Sequence, residues 1–190
     1  QFIPTYIFTP QEIEYDYDYI IEKCDAVVEQ ASVFQTDVEK LLYLHNYLVD
    51  NNTYDTSYNN NYNNAYGAMV IGASMCEGYA SCFAYMANKL GIKTYVITSA
   101  AIGHAWNMVL LDGYYYHIDC TWDDPTVSTP NLISNPVSGY AKSSNFLCSD
   151  SGAIANGHYP DGWDKVSALD WRINGVSVYG IAANSTMYDS

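Results

Sequence analysis

The sequence predicts an α+β fold: helical patterns dominate up to about residue 91, and strand patterns follow. Three observations carry this expectation. Apolar residues recur at helical spacing twice before residue 50, and a third helical pattern stops at Gly91. Beyond it, two β-rich runs flank Asp112-Gly113, a strong signal for a two-residue hairpin.

Thr9-Pro10-Gln11-Glu12 opens the first helix as a capping box with Pro at the first helical position. Ile13, Tyr17, Ile20, Ile21, Cys24, Val27, Val28 and Ala31 then follow the helical period. Thr36-Asp37-Val38-Glu39 repeats the capping signal, and Val38, Leu41, Leu42, His45 and Leu48 form the next stripe. His45 reads as a core histidine with a hydrogen-bond partner rather than a catalytic one. Residues 51–64 are rich in Asn and Tyr without apolar period and are expected to be a loop bordering a site. The third helix is expected from about Cys76 to Leu90, with Cys76, Ala80, Phe83, Ala84, Ala87 and Leu90 on one side and Gly91 as its left-handed cap. Strands are expected at Thr94 to Ser99, His104 to Leu111, Tyr114 to Thr121 and, after a polar loop, Asn145 to Ser149. Asn174-Gly175 marks another hairpin between Trp171 and Tyr179.

At 190 residues and 49% hydrophobic content, the chain suits one domain with a sizeable core, expected over residues 1–165, with its helical part at 9–50. Residues 166–190 are expected to be an extension, either an edge hairpin or the start of a following module. The start at Gln1, without Met, reads as a trimmed precursor. A net charge of −14 with seven Lys and Arg argues against nucleic acid and anionic membranes, which need clustered cations. No apolar run of about 18 residues predicts a membrane span. Twenty Tyr, with many Asn and Ser, suit an exported surface polypeptide. Cys24, Cys82, Cys120 and Cys148 lie in apolar stretches and are expected as small core residues.

Cys76 differs from these. It sits where the third helix starts, facing the unpaired N–H groups and the positive end of the helix dipole, which favour a thiolate. Position alone leaves it open between a structural cysteine and a nucleophile. Gly78 costs the helix about 1 kcal/mol relative to Ala, so something is expected to approach the backbone there. If Asp112-Gly113 is the turn, Leu111 pairs with Tyr114, Trp106 falls opposite Asp119 and His104 opposite Thr121. His104 and Asp119 are then diagonal neighbours on one face, the carboxylate–imidazole pair that a histidine base requires. The surrounding aromatic sequence suggests a half-buried groove.

Cys76-Glu77-Gly78-Tyr79-Ala80, His104-Ala105-Trp106-Asn107 and Asp119-Cys120-Thr121-Trp122-Asp123-Asp124-Pro125 resemble the three core blocks of the transglutaminase-like superfamily, in the same order. Phe146-Leu147-Cys148-Ser149-Asp150 is similar to a segment of its bacterial exported members. The resemblance spans about residues 54–150. It implies a papain-like core, with the nucleophile helix packed on an antiparallel sheet or partial barrel. It also implies Cys76 as nucleophile, His104 as general base and acid, and Asp119 as orienter of the imidazole. The substrate would be a protein or peptide amide, hydrolysed or transferred to an amine through a thioester at Cys76. A binding or scaffold module that keeps the fold without turnover is the alternative.

Trp106, Tyr79 and Trp122 are expected to line the groove. The Cys76 N–H is one expected oxyanion donor; the second is unassigned, because this chain lacks the upstream Trp of the animal crosslinking enzymes, and Tyr54 is a candidate for it against the alternative of an ordinary packing tyrosine. Asp123-Asp124-Pro125 is expected to shape the site as a turn rather than cradle a metal. With no Cys-x-x-Cys or His-x-x-x-His spacing, neither zinc nor any cofactor is expected.

Overall fold

The computed structural model describes residues 10–57, 62–125 and 144–159, and two short strands at 172–173 and 176–177. The expected cap at Thr9, the boundary at residue 165 and much of the extension lie outside the described residues.

Helix α1 (Pro10–Ala31) leads to α2 (Asp37–Asn51), whose start carries the expected capping box. The Glu39 N–H donates to Thr36 Oγ1 at 3.2 Å, and the Thr36 N–H donates back to Glu39 Oε2 at 2.9 Å. The buried face of α2 comprises Val38, Leu41, Leu44, His45, Leu48 and Val49. The segment expected as plain loop holds more order. Strand β1 (Thr53–Tyr54) pairs in parallel with β2 (Ala73–Ser74), and a π-helical turn, Gly67–Ile71, precedes β2. Such short elements carry too few residues for a period to register in sequence.

Helix α3 (Cys76–Lys89) packs against α1, α2 and the sheet. Its buried residues are therefore broader than one stripe: Tyr79, Cys82 and Met86 join Ala80, Phe83 and Ala87. Gly91, at φ 82°, ends it as expected. The Ile92 and Gly91 N–H groups reach back to the Ala87 and Asn88 carbonyls, the pairing of a Schellman cap.

The antiparallel sheet has the order β3 (Thr94–Ser99), β4 (His104–Leu111), β5 (Tyr114–Ile118). Its register is the expected one, from Leu111↔Tyr114 to Asn107↔Ile118. Asp112 and Gly113 both have positive φ, 49° and 83°, which the two-residue turn demands. β5 stops at Ile118, three residues earlier than expected, because Asp119 caps a short helix, α4 (Cys120–Asp123).

Asn145 to Ser149 is not a strand. Leu147 takes a left-handed φ of 53°, which breaks an extended run, and a single bridge forms between His117 and Cys148. Helix α5 (Asp150–Ala155), unforeseen in sequence, follows with Ser149 as its cap. Strands β6 (Arg172–Ile173) and β7 (Val176–Ser177) pair antiparallel, and the expected turn at Asn174-Gly175 lies outside the described residues.

One core joins α1, α2, α3, β4 and β5, with Leu41, Leu44, Phe83, Met86, Val109, Tyr116 and Ile118 at its centre. Among the described residues no helix is long and apolar enough to cross a membrane.

Candidate active site

The site forms where the start of α3 meets the first residue of β4 and the last turn after β5. Gly78 holds the start of α3 close to its surroundings. A Cβ there would collide with Ser74 Oγ and lie 2.5 Å from the Asn64 carbonyl oxygen. The Asn63 side chain takes the Glu77 N–H at 3.1 Å, and the Met75 carbonyl takes the Gly78 N–H at 3.2 Å. No hydrogen bond among the described residues takes up the Cys76 N–H. Cys76 is half-buried, whereas Cys24, Cys82, Cys120 and Cys148 are buried, and all five are free thiols. Asn107 sets the spacing between helix and sheet: its side-chain amide donates to the Ala80 carbonyl at 2.9 Å.

His104 and Asp119 meet as the register implied. His104 Nε2–H donates to Asp119 Oδ2 at 2.7 Å, and both residues are buried. With Nε2 so engaged, Nδ1 is the remaining ring nitrogen, and Cys76 is close enough to be among the groups that help hold a proton on His104. Burial alone would lower the pKa of His104. The charge and hydrogen bond of Asp119, aided by Cys76, outweigh it and raise that pKa to about 9. Asp119 feels the same opposition: burial raises its pKa, yet His104 and His158 hold the carboxyl well below the usual carboxylate range. Its Oδ1 accepts the Thr121 and Trp122 N–H groups at 2.8 and 3.1 Å, as the cap of α4. The His104 ring is stacked with Trp122, centroids 4.7 Å apart, and with Trp106 at 5.7 Å.

The other expected site residues fall differently. Trp122 is half-buried and covers His104. Tyr79 and Trp106 are each only 1% exposed and offer no open groove wall. Tyr79 instead donates to Asp124 Oδ2 at 2.5 Å, and Trp106 Nε1–H donates to His117 Nδ1 at 3.0 Å. Tyr54 lies on β1 opposite Ser74, two residues before Cys76, and is half-buried. Asp123 is also a structural residue. It meets His45 Nε2 at 3.0 Å and accepts from Ser144 Oγ and from the Asn145 backbone and side chain. His45 is thus the partnered core histidine expected from its stripe.

Sequence reading missed His158. It follows α5, is 1% exposed, and donates Nε2–H to Asp119 Oδ2 at 2.8 Å. No period or motif marks it, and only the fold brings it 39 residues back to Asp119. His104, Asp119 and His158 offer donor atoms within 4.8 Å of one another, a grouping able to hold a metal ion. Their 2.7 and 2.8 Å contacts have the length of charge-assisted hydrogen bonds, which account for the arrangement with protons alone.

The sequence model of the transglutaminase-like superfamily matches residues 25–120, half of the chain. No curated protein matches the chain. A solved structure described as "Crystal structure of a TGase" is similar at 21% identity and a TM-score of 0.52, over 76% of this chain and 40% of its own. A second, described as a "Putative Cysteine Protease" from Cytophaga hutchinsonii, is similar at 15% identity and a TM-score of 0.45, over 63% of this chain and 45% of its own. The chain therefore spans less than half the length of either structure. The first likeness supports the mixed helix-and-sheet fold.

Proposed function

The chain belongs to the transglutaminase-like superfamily, and from that premise we propose that it is a cysteine-dependent enzyme acting on amides of a protein or peptide. One observation carries the reading: a buried His104–Asp119 pair, with the half-buried thiol of Cys76 at the start of α3 among the groups that act on the His104 ring. Cys76 gives its proton to His104 Nδ1 and its sulfur attacks the carboxamide carbon. The developing oxyanion meets the Cys76 N–H, with Tyr54 as the proposed second donor. The C–N bond then breaks, His104 passes its proton to the departing amine, and a thioester remains. Water or a second amine attacks the thioester, returns a proton to His104 and frees Cys76. We favour water as the acceptor, because it is always available. Asp119 keeps the imidazole oriented throughout. Composition, with twenty Tyr and many Asn and Ser, supports an exported setting.

The test is the rate of Cys76 alkylation by iodoacetamide against pH, in the intact protein and in His104→Ala. Labelling is located by mass spectrometry. Burial pushes the thiols of Cys120 and Cys148 up, and Cys82 rises through its hydrogen bond to Cys24 together with burial, so these three react slowly. Fast labelling of Cys76 well below the free-thiol pKa of about 8.5, with a marked loss in the variant, is expected. Slow labelling that ignores His104 sinks the proposal in favour of a binding module. A glutamine peptide incubated with and without a primary amine then separates hydrolysis from transfer.

A further inference from the structure

We infer that His158 is a positioning residue of the same site, locking and polarising Asp119 through the carboxylate oxygen that His104 also uses. The inference rests on the reading that His104 serves Cys76.

Asp119 has two oxygens and receives four donors: two backbone N–H groups on Oδ1 and two imidazole N–H groups on Oδ2. With every acceptor direction taken, the carboxylate cannot rotate away from His104. His158 is itself fixed. Its ring lies 4.1 Å from that of Trp122 and 4.9 Å, edge-on, from that of Trp106. Its backbone N–H donates to the Ala153 carbonyl at 2.9 Å, and the next carbonyl, of Tyr159, accepts from Ser99 Oγ. Ser99 pairs with His104 across β3 and β4, so this tail is tied back to the strand that carries the base.

His158 Nδ1, by contrast, is buried with no hydrogen-bond partner among the described residues. Burying an unpaired polar nitrogen is costly, a cost that a Phe packed between the same tryptophans would avoid. A ring kept polar at that cost, with its other nitrogen on Asp119, fits a role toward the carboxylate rather than packing. Donation from His158 draws part of the Asp119 charge away from His104, so losing it makes His104 hold its proton more tightly. Among the described residues, other titratable groups around the network are Cys76 at the start of α3, Cys120 on α4, Cys148 before α5, and His117 on β5 with its partner Asp150 on α5.

The chain has four histidines, so long-range proton–nitrogen NMR spectra of the intact protein can follow each ring. In the unsubstituted protein His158 is expected with a protonated, hydrogen-bonded Nε2; an unprotonated Nε2 overturns the inference, whether or not any variant folds. In His158→Phe, proton affinity at His104 is expected to rise roughly 3-fold or more, a midpoint displacement of about half a pH unit. His158→Gln, whose amide can still donate, is expected to restore the original midpoint. Lower thermal stability in His158→Phe with an unmoved His104 midpoint reduces His158 to a packing residue. Cys76 alkylation in the unsubstituted protein, measured separately, reports on the proposed function and not on His158.

Discussion

Asp119→Asn is the most incisive single change, because it removes a charge while preserving shape. Asn remains a good helix cap, so its side-chain oxygen can still accept the Thr121 and Trp122 N–H groups that start α4. Its amide, however, turns a donor toward two imidazole nitrogens that had been donating to Oδ2. His104 then loses the carboxylate that does most to raise its pKa and keeps its burial, which lowers it, against the smaller aid of Cys76. Its titration is expected to fall from about 9 to below the ordinary 6.5. That displacement corresponds to about 3 kcal/mol or more, counted once for the pair because the Asp119 and His104 displacements describe one interaction. No discount for solvent is needed, since the His104 side chain is 6% exposed and that of Asp119 2%.

The sign follows from the raised folded-state pKa of His104. Its stabilising contribution is full below pH 6.5 and is lost as pH climbs from 6.5 through about 9. Urea unfolding should therefore show the natural chain losing about 3 kcal/mol more than Asp119→Asn over that interval. On the acid side Asp119, with a depressed pKa, contributes above its unfolded value of 3.8 and loses that contribution as pH falls below it. NMR titration of the His104 ring is the direct assay. If His104 in Asp119→Asn still titrates near pH 9, the carboxylate is not what holds its proton, and the account of the pair collapses.

Two further substitutions probe the scaffold around the site. His45→Ala strands Asp123, whose carboxylate is fully buried against His45, and should cost about 3–5 kcal/mol in chemical denaturation at neutral pH; a loss below 1 kcal/mol would mean that the contacts from Ser144 and Asn145 suffice. Gly78→Ala should destabilise by roughly 1–3 kcal/mol despite the better helix propensity of Ala, and should slow Cys76 alkylation, because the added methyl group displaces α3 from Ser74 and Asn64. A more stable Ala variant would show that the close approach at Gly78 is not required.

Much of the fold was legible in sequence where a neighbour within a few residues decides the geometry. The capping box at Thr36 and Glu39 closes over three residues, and Gly91 needs only its own left-handed φ. The Asp112-Gly113 turn, two residues long, set a register that carried His104 to Asp119 fifteen residues away. Tyr79 and Trp106 were misplaced because an aromatic residue beside a catalytic block looks the same in sequence whether it faces a groove or the core. The segment at Asn145 to Ser149 has the composition of a strand, but Leu147 turns left-handed to keep the Asn145 carbonyl on the Asp119 N–H and the Cys148 backbone on His117.

The sequence by itself determined the order of α1, α2, α3 and the strands β3 to β5, the hairpin, and the ordered Cys76, His104 and Asp119 blocks, because each is written in local spacing and local backbone preference. The tertiary structure alone decided who shares those residues. His158 reaches Asp119 across 39 positions and His45 reaches Asp123 across 78, and neither contact leaves a period in the chain. Contacts of that separation form only when apolar packing has brought the elements together. Buried donors and acceptors then select the partners that spare each of them an unsatisfied hydrogen bond.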